Sequence, residues 1–178
     1  VDGPERRALD ARYLDVPDLA LGRSGYAVRR RTGGPDAGWH IKGPKGADGG
    51  RVESHWPLGA AGSLDELAVP DAVASAVAEI APGVLTPIAR IRNDRHAYLL
   101  RDAAGGVLAE FVDDHVVAAD ELRGVETAWR EWEFELGPAA PTAPAARADL
   151  LAAAAAAVTA VGGRPAASDS KLARTLGL

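Results

Sequence analysis

Residues 129–136 read WREWEFEL, with Glu131, Glu133 and Glu135 alternating with Trp132, Phe134 and Leu136. A period of two belongs to a β-strand, so the three carboxylates share one face and the apolar residues the other. Like charges along one strand face repel unless cations lie near. Two earlier segments supply cations in the same rhythm. Residues 27–31, AVRRR, put Arg29 and Arg31 on one face, and residues 39–42, WHIK, put His40 and Lys42 on one face. If these faces meet, they enclose a charged cavity suited to a polyanion and a divalent metal.

More residues of both signs join this pattern. Arg92 and Arg95 fall in RIRNDR, and Lys171 in SDSKL. Guanidinium forks match phosphate oxygens, and an ammonium supplies a point charge. Each basic cluster alone reads better as a solvated edge strand that resists aggregation; a glutamate face on another strand reverses that balance in favour of a ligand. The acidic set is Glu53, Glu110, Asp114, Glu131, Glu133 and Glu135. Oxygen-only donors suit Mg²⁺ or Mn²⁺, which take carboxylates together with substrate phosphates. In LAEFVDD a regular strand places Glu110 and Asp114 on one face and Asp113 on the other. The alternative for these acids is the wet side of a half-exposed sheet.

Other chemistries lack their signatures. Neither GGPDAG nor KGPKGADGG ends in the GK[ST] of a phosphate loop, and no G-x-S-x-G elbow occurs. There is no cysteine, so disulfides and thiolate metal sites are excluded. The histidines fit no H-x-x-x-H zinc spacing, and the four tryptophans read as outer-core or rim residues.

The elements that must position these residues are mostly strands. Strands are expected over 8–14, 26–32, 39–42, 51–56, 88–100, 107–117 and 125–136, with turns at 33–36, 45–50 and 102–106. Segment 17–25 reads as a turn or short helix. Helical spacing appears over 70–80, where Val73, Val77 and Ile80 form a stripe, and over the Ala-rich 145–161. A Pro/Ala linker spans 137–144, and a terminal helix spans 168–176, capped by Ser168 or Asp169. The fold class is α+β, mainly antiparallel β, in one domain over 1–178. Charge on one strand face and bulk on the other imply an inverted barrel: a hydrated charged interior, with the helices over 70–80 and 145–161 covering apolar outer faces.

Composition bounds the partners. A formal net charge of −5 argues against binding a nucleic-acid duplex by bulk electrostatics. No apolar run spans a bilayer. The absence of cysteine and of a secretory signal points to the cytoplasm. No methionine occurs, Val1 included, so the chain is expected to begin inside a longer coding sequence.

The series YLDVPDLALGRSGYAVRRRTGG, GWHIKGP, IARIRNDR, LAEFVDDHV, WREWEFEL and SDSKLARTLG resembles the bacterial CYTH domain. Val16 stands where the family's strand-end motif has threonine. The resemblance covers nearly the whole chain. It implies a triphosphate tunnel metalloenzyme: an antiparallel barrel that binds a triphosphate through Arg and Lys, with Mg²⁺ or Mn²⁺ held by glutamates. Carried over residue by residue, Arg29, Arg31, Lys42, Arg92, Arg95 and Lys171 hold phosphates, and His40 lies beside them. Glu131 and Glu133 lead the metal ligands, followed by Glu135. Glu110 and Asp114 orient metal, water or the basic side chains. Glu53, Glu110 and Glu133 are the candidates to orient the attacking water. The implied reaction is hydrolysis of inorganic tripolyphosphate or a related triphosphate. A polyphosphate-binding module without turnover, an organic triphosphatase and an adenylate cyclase are the alternatives. The family's opening strand carries ExExK, which this sequence lacks; the expectation is a barrel short of one wall, with two unpaired strand edges. The series also resembles the version that precedes a helical CHAD domain, which is therefore the partner expected in a longer parent chain.

Overall fold

The computed structural model describes residues 1–46, 51–59, 67–168 and 170–178. The turn expected over 45–50 lies largely outside them, as does Asp169. The strands are β1 (Asp2–Asp15), β2 (Ala27–Thr32), β3 (Gly38–Lys45), β4 (Arg51–Trp56), β5 (Thr86–Arg101), β6 (Val107–Asp120) and β7 (Val125–Leu136). The helices are α1 (Ala20–Arg23), α2 (Asp71–Val77), α3 (Pro144–Ala160) and α4 (Lys171–Leu176).

The strands form a seven-stranded sheet in the order β4-β3-β2-β1-β5-β6-β7, antiparallel at every pairing. Among the described residues β4 and β7 are its two edges and do not pair with each other. Strand β1 is longer than the alternation from Ala8 suggests, because its pairing with β5 continues from Asp15 opposite Thr86 out to Asp2 opposite Leu99. At the β1–α1 corner, Asp15 is buried and satisfied. Its carboxylate accepts from the backbone N–H groups of Val16 (2.8 Å), Leu21 (3.0 Å) and Gly22 (2.9 Å), which explains a carboxylate in this apolar setting. The β2–β3 connection turns through Gly33 and Gly34, both at positive φ. A Cβ on Gly33 would collide with the Ala8 carbonyl, so only glycine fits there.

Two apolar clusters hold the sheet. One lies on its outer side, where Val28, Trp39 and Ile41 pack against Leu21 of α1 and Val73 and Val77 of α2. The stripe read over 70–80 therefore does cover an outer face. The second lies on the inner side, where Ala11, Tyr13, Ala89, Ile91, Val116 and Ala118 are closed by Leu172 and Leu176 of α4. The inner face is thus charged over only part of its length, and its other part is a conventional core. Helix α3 departs from expectation, since none of its residues is fully buried and only the stripe Ala146, Leu150, Ala154 and Val158 is partly covered. Its sequence is a run of small alanines, which gives helix propensity without the bulky stripe that docking needs. The last helix starts later than read. Ser170 caps α4 by accepting from the Ala173 N–H at 3.0 Å, in place of Ser168 or Asp169.

Candidate active site

Strand parity decides which side chains meet. Register pairs Tyr13 with Arg29, Ala11 with Arg31, Arg29 with His40 and Lys42 with Glu53. On the other wing it pairs Arg7 with Arg95, Arg95 with Asp114, Asp114 with Glu131, and Glu110 with Glu135. All of these side chains therefore point to one face of the sheet. Of these, Arg7, Arg29, Arg31, Lys42, Glu53, Arg95, Glu110 and Glu135 line a cavity of about 310 Å³, at the small end of the range for ligand sites. Its wall carries the cations Arg7, Arg29, Arg31, Lys42 and Arg95 beside the carboxylates Asp36, Glu53, Glu110 and Glu135; Leu9 and Pro35 are its only apolar members among the described residues.

The β2 side of the cavity has surplus hydrogen-bond donors. The Nε atoms of Arg29 and Arg31 are buried and, among the described residues, have no hydrogen-bond partner. Arg29 is otherwise held by the Tyr13 hydroxyl at 3.4 Å and Glu53 at 3.6 Å, and Arg31 pairs with Asp36. Burial, then the Arg29 and Arg95 guanidiniums, push the Arg31 pKa down to about 10. Unmet buried donors are uncommon and costly, and crowded guanidiniums without enough counter-charge are what an anion would relieve.

Glu53 joins this side. Its carboxylate lies 2.8 Å from His40 Nδ1 and 3.5 Å from Lys42 Nζ, and the His40 hydrogen bond, with Lys42 and Arg29, lowers its pKa to about 2. The same hydrogen bond favours a charged His40, but burial and the Arg29 and Arg31 charges outweigh it and hold the imidazole below its ordinary range. His40 Nε2 lies 2.9 Å from the Asp36 carbonyl oxygen, so the ring is fixed from both ends.

The β6–β7 side is acidic. Asp114, Glu131 and Glu133 bring carboxylate oxygens within 4.8 Å of one another. Arg95 binds Asp114 with two parallel N–H donors, both at 2.8 Å, and reaches Glu133 at 2.8 Å. Burial alone would raise the pKa of Asp114; the hydrogen bond from Arg95 and the Lys171 charge outweigh it and lower the value. Three oxygen donors with no sulfur or imidazole fit a hard divalent cation. The position also takes a cation here, because the Lys171 ammonium rests on all three carboxylates at 2.5–3.0 Å. Glu135 lines the cavity next to Glu110 but lies outside this trio.

Two expectations change. Arg92 does not join Arg95. The two are three residues apart, so they point to opposite faces, and Arg92 is half-exposed on the outer side, bound to Glu126 at 2.9 Å. Lys171 enters the acidic trio, not the wall of basic residues. Asp113 faces outward, bound to Arg130 at 2.7 and 2.8 Å. Two charged cavity residues escaped the sequence reading. Arg7 is gripped by Glu5 at 2.9 Å and Glu110 at 3.0 Å, and the alternation Glu5, Arg7, Leu9, Ala11, Tyr13 could have shown it. Asp36 sits in a turn, where no periodicity marks a facing direction.

The CYTH domain family matches residues 2–156. The chain belongs to the CYTH domain family. Uncharacterized proteins of two Mycobacterium tuberculosis strains, CDC 1551 and H37Rv, are each 38% identical over 187 residues, covering 99% of this chain. The CYTH chain spans only 35% of the length of those relatives. A Bacillus halodurans protein described as a candidate adenylate cyclase has the same fold, with a TM-score of 0.63 and 17% identity over 95% of this chain and 82% of its own. A Pyrococcus horikoshii protein gives 0.60 and 13% over 99% and 87%. A Hippeastrum protein, also described as a candidate adenylyl cyclase and reported to have a dominant triphosphatase activity, gives 0.56 and 13% over 97% and 83%. The antiparallel sheet is thus the CYTH fold. Among the described residues no helix is long and apolar enough to cross a membrane.

Proposed function

We propose that this CYTH domain binds inorganic tripolyphosphate in the charged cavity and hydrolyses its terminal phosphoanhydride bond with the help of Mg²⁺ or Mn²⁺. The observation that carries the reading is the pairing of surplus buried guanidinium donors on β2, in the cavity wall, with a carboxylate trio on β6 and β7 that Arg95 of the same wall contacts through Asp114 and Glu133. Arg29, Arg31 and Lys42 hold phosphate oxygens, with Arg7 and Arg95 at the far wall. Asp114, Glu131 and Glu133 would hold the metal, which when bound supplies charge stabilisation to the phosphates. Water attacks the terminal phosphorus, the bridging P–O bond breaks, and phosphate and diphosphate leave. The water's proton passes to a carboxylate or to solvent. Glu110 and Glu133 are the better candidates to orient that water, because a carboxylate whose pKa lies near 2 is a weak base and suits Glu53 to fixing cations.

The cavity wall lacks aromatic side chains among the described residues, which favours a bare phosphate chain over a nucleotide. One observation favours a second reading. The edges β4 and β7 are not joined, and an open wall suits a polyphosphate-binding module without turnover. A cytoplasmic setting, an ExExK strand outside residues 1–178 and a CHAD partner in a longer parent chain belong to the same proposal. The deciding experiment is phosphate release from tripolyphosphate and from ATP, with and without Mg²⁺ or Mn²⁺. Metal-dependent release from tripolyphosphate is expected. Binding without release would leave the module reading; release mainly from ATP would overturn the inorganic substrate.

A further inference from the structure

The Lys171 ammonium lies 3.0 Å from Asp114 Oδ2, 2.6 Å from Glu131 Oε1 and 2.5 Å from Glu133 Oε1. Its side chain is largely buried, and Asp114 beneath it is fully so. A second cation also touches the trio: the Arg95 guanidinium holds both Asp114 oxygens and Glu133 Oε2. The two cations differ in their freedom. Arg95 comes from the middle of a central strand and grips its partners with a rigid fork. Lys171 is the first residue of a six-residue helix and reaches the trio on a flexible four-carbon arm. The helix backbone itself is pinned. Leu172 and Leu176 pack into the inner core, Arg174 stacks 4.5 Å from the Trp129 ring, and Arg123 binds the Leu176 carbonyl.

A divalent ion bound to oxygens of these carboxylates, at about 2.1 Å, would stand within contact distance of the ammonium. Two like-charged centres cannot share that space while the trio can satisfy only one of them. Resting on the reading of the trio as the metal position, we propose that Lys171 is a tethered counter-ion: its ammonium and a divalent cation are alternative occupants of the Asp114–Glu131–Glu133 trio, so metal binding expels the Lys171 arm while α4 stays docked. The expelled ammonium then lies beside the phosphate cavity with its charge unspent. Metal affinity is accordingly set below what three carboxylates alone would give, and loading is coupled to a side-chain movement at the C-terminal end of the chain.

The chain has three lysines, Lys42, Lys45 and Lys171, which makes the movement measurable on the unaltered protein. Metal-stripped protein is labelled with acetic anhydride, with and without Mn²⁺, and read by mass spectrometry against Lys45. Lys171 labelling is expected to rise at least severalfold with Mn²⁺. In parallel, Mn²⁺ affinity is measured by calorimetry for wild type and Lys171→Met, without substrate. The variant is expected to bind at least tenfold more tightly. Unchanged labelling, or equal or weaker binding by a folded variant, overturns the exchange while leaving the metal position intact. If neither protein binds Mn²⁺ and labelling is constant, the metal reading itself falls and the exchange falls with it.

Discussion

Replacing Arg31 by methionine should move stability and binding in opposite directions. Arg31 is buried, its Nε has no partner among the described residues, and Arg29 and Arg95 are the charges that act most strongly on it. Its pKa, pushed from the ordinary arginine range down to about 10 by burial first and then by those charges, corresponds to a penalty of about 3 kcal/mol for keeping the charge at neutral pH. The side chain is only 9% exposed, so solvent screening removes little of this. Methionine keeps the apolar stem and discards the charge. The variant also loses the pair with Asp36, which is 57% exposed and contributes about 1 kcal/mol or less. The expected net gain is about 2 kcal/mol, or a rise of about 4–8 °C in Tm for a chain of this size. Calorimetric unfolding without ligand measures it. Loss of one charge-assisted donor set, worth about 1.5–3 kcal/mol, should weaken tripolyphosphate about 10- to 100-fold, read by titration in EDTA so that no turnover intervenes. A lower Tm with unchanged affinity would refute the reasoning and make Arg31 a structural partner of Asp36.

Three further outcomes follow from the same geometry. Glu133→Ala should lower metal-dependent phosphate release by about 100-fold or more, whereas Asp113→Ala, on the outer face with Arg130, should change it less than twofold; equal losses in a rate assay would contradict the assignment of faces. Glu53, with its folded pKa near 2 against an unfolded value near 4.5, contributes stability that is fully present above about pH 4.5 and is lost as pH falls toward 2. Because Glu53 is 37% exposed, the contribution is discounted to about 1 kcal/mol. Urea unfolding across that window should show a flatter acid limb for Glu53→Gln, and identical limbs would count against the His40–Glu53–Lys42 cluster. Trp39→Ala should cost about 3–5 kcal/mol, since Trp39 is 1% exposed in the outer core under α2. Its parity is opposite to His40, so KM for the folded variant should stay near wild type; a large KM change would place Trp39 at the site.

Parity is what made the site legible in the chain. Glu131, Glu133 and Glu135, Arg29 with Arg31, and His40 with Lys42 are each two residues apart, and a strand cannot separate such neighbours. The Arg92 expectation ignored the same rule, because an interval of three reverses the face. Arg7 was hidden for a different reason. Strand β1 continues past its hydrophobic alternation because β5 is long enough to pair with it, and that length is a tertiary fact. Lys171 and Asp36 sit on a short helix and a turn, where spacing does not aim a side chain; their partners lie far off in sequence or are set by chain reversal. The Ala-rich helix α3 shows the limit of propensity, which predicted the helix but not that none of its residues would be fully buried.

The division of charge within the cavity constrains where an anion can first bind. Arg7 and Arg95 already have matched carboxylates, Glu5 with Glu110 for the first and Asp114 with Glu133 for the second. Drawing Arg95 toward a phosphate would strip the fully buried Asp114 of a bidentate partner, and breaking a buried ion pair costs about 3–5 kcal/mol. Arg29 and Arg31 carry no such cost, since their buried Nε donors have no partner among the described residues. Under the proposed function the phosphate chain therefore anchors at β2 first, while Arg95 stays with the acids. The strand order supports this, because β1 and β5 stand between β2 and the β6–β7 strands and keep the Arg29–Arg31 pair apart from the Asp114–Glu131–Glu133 trio on one face of the sheet.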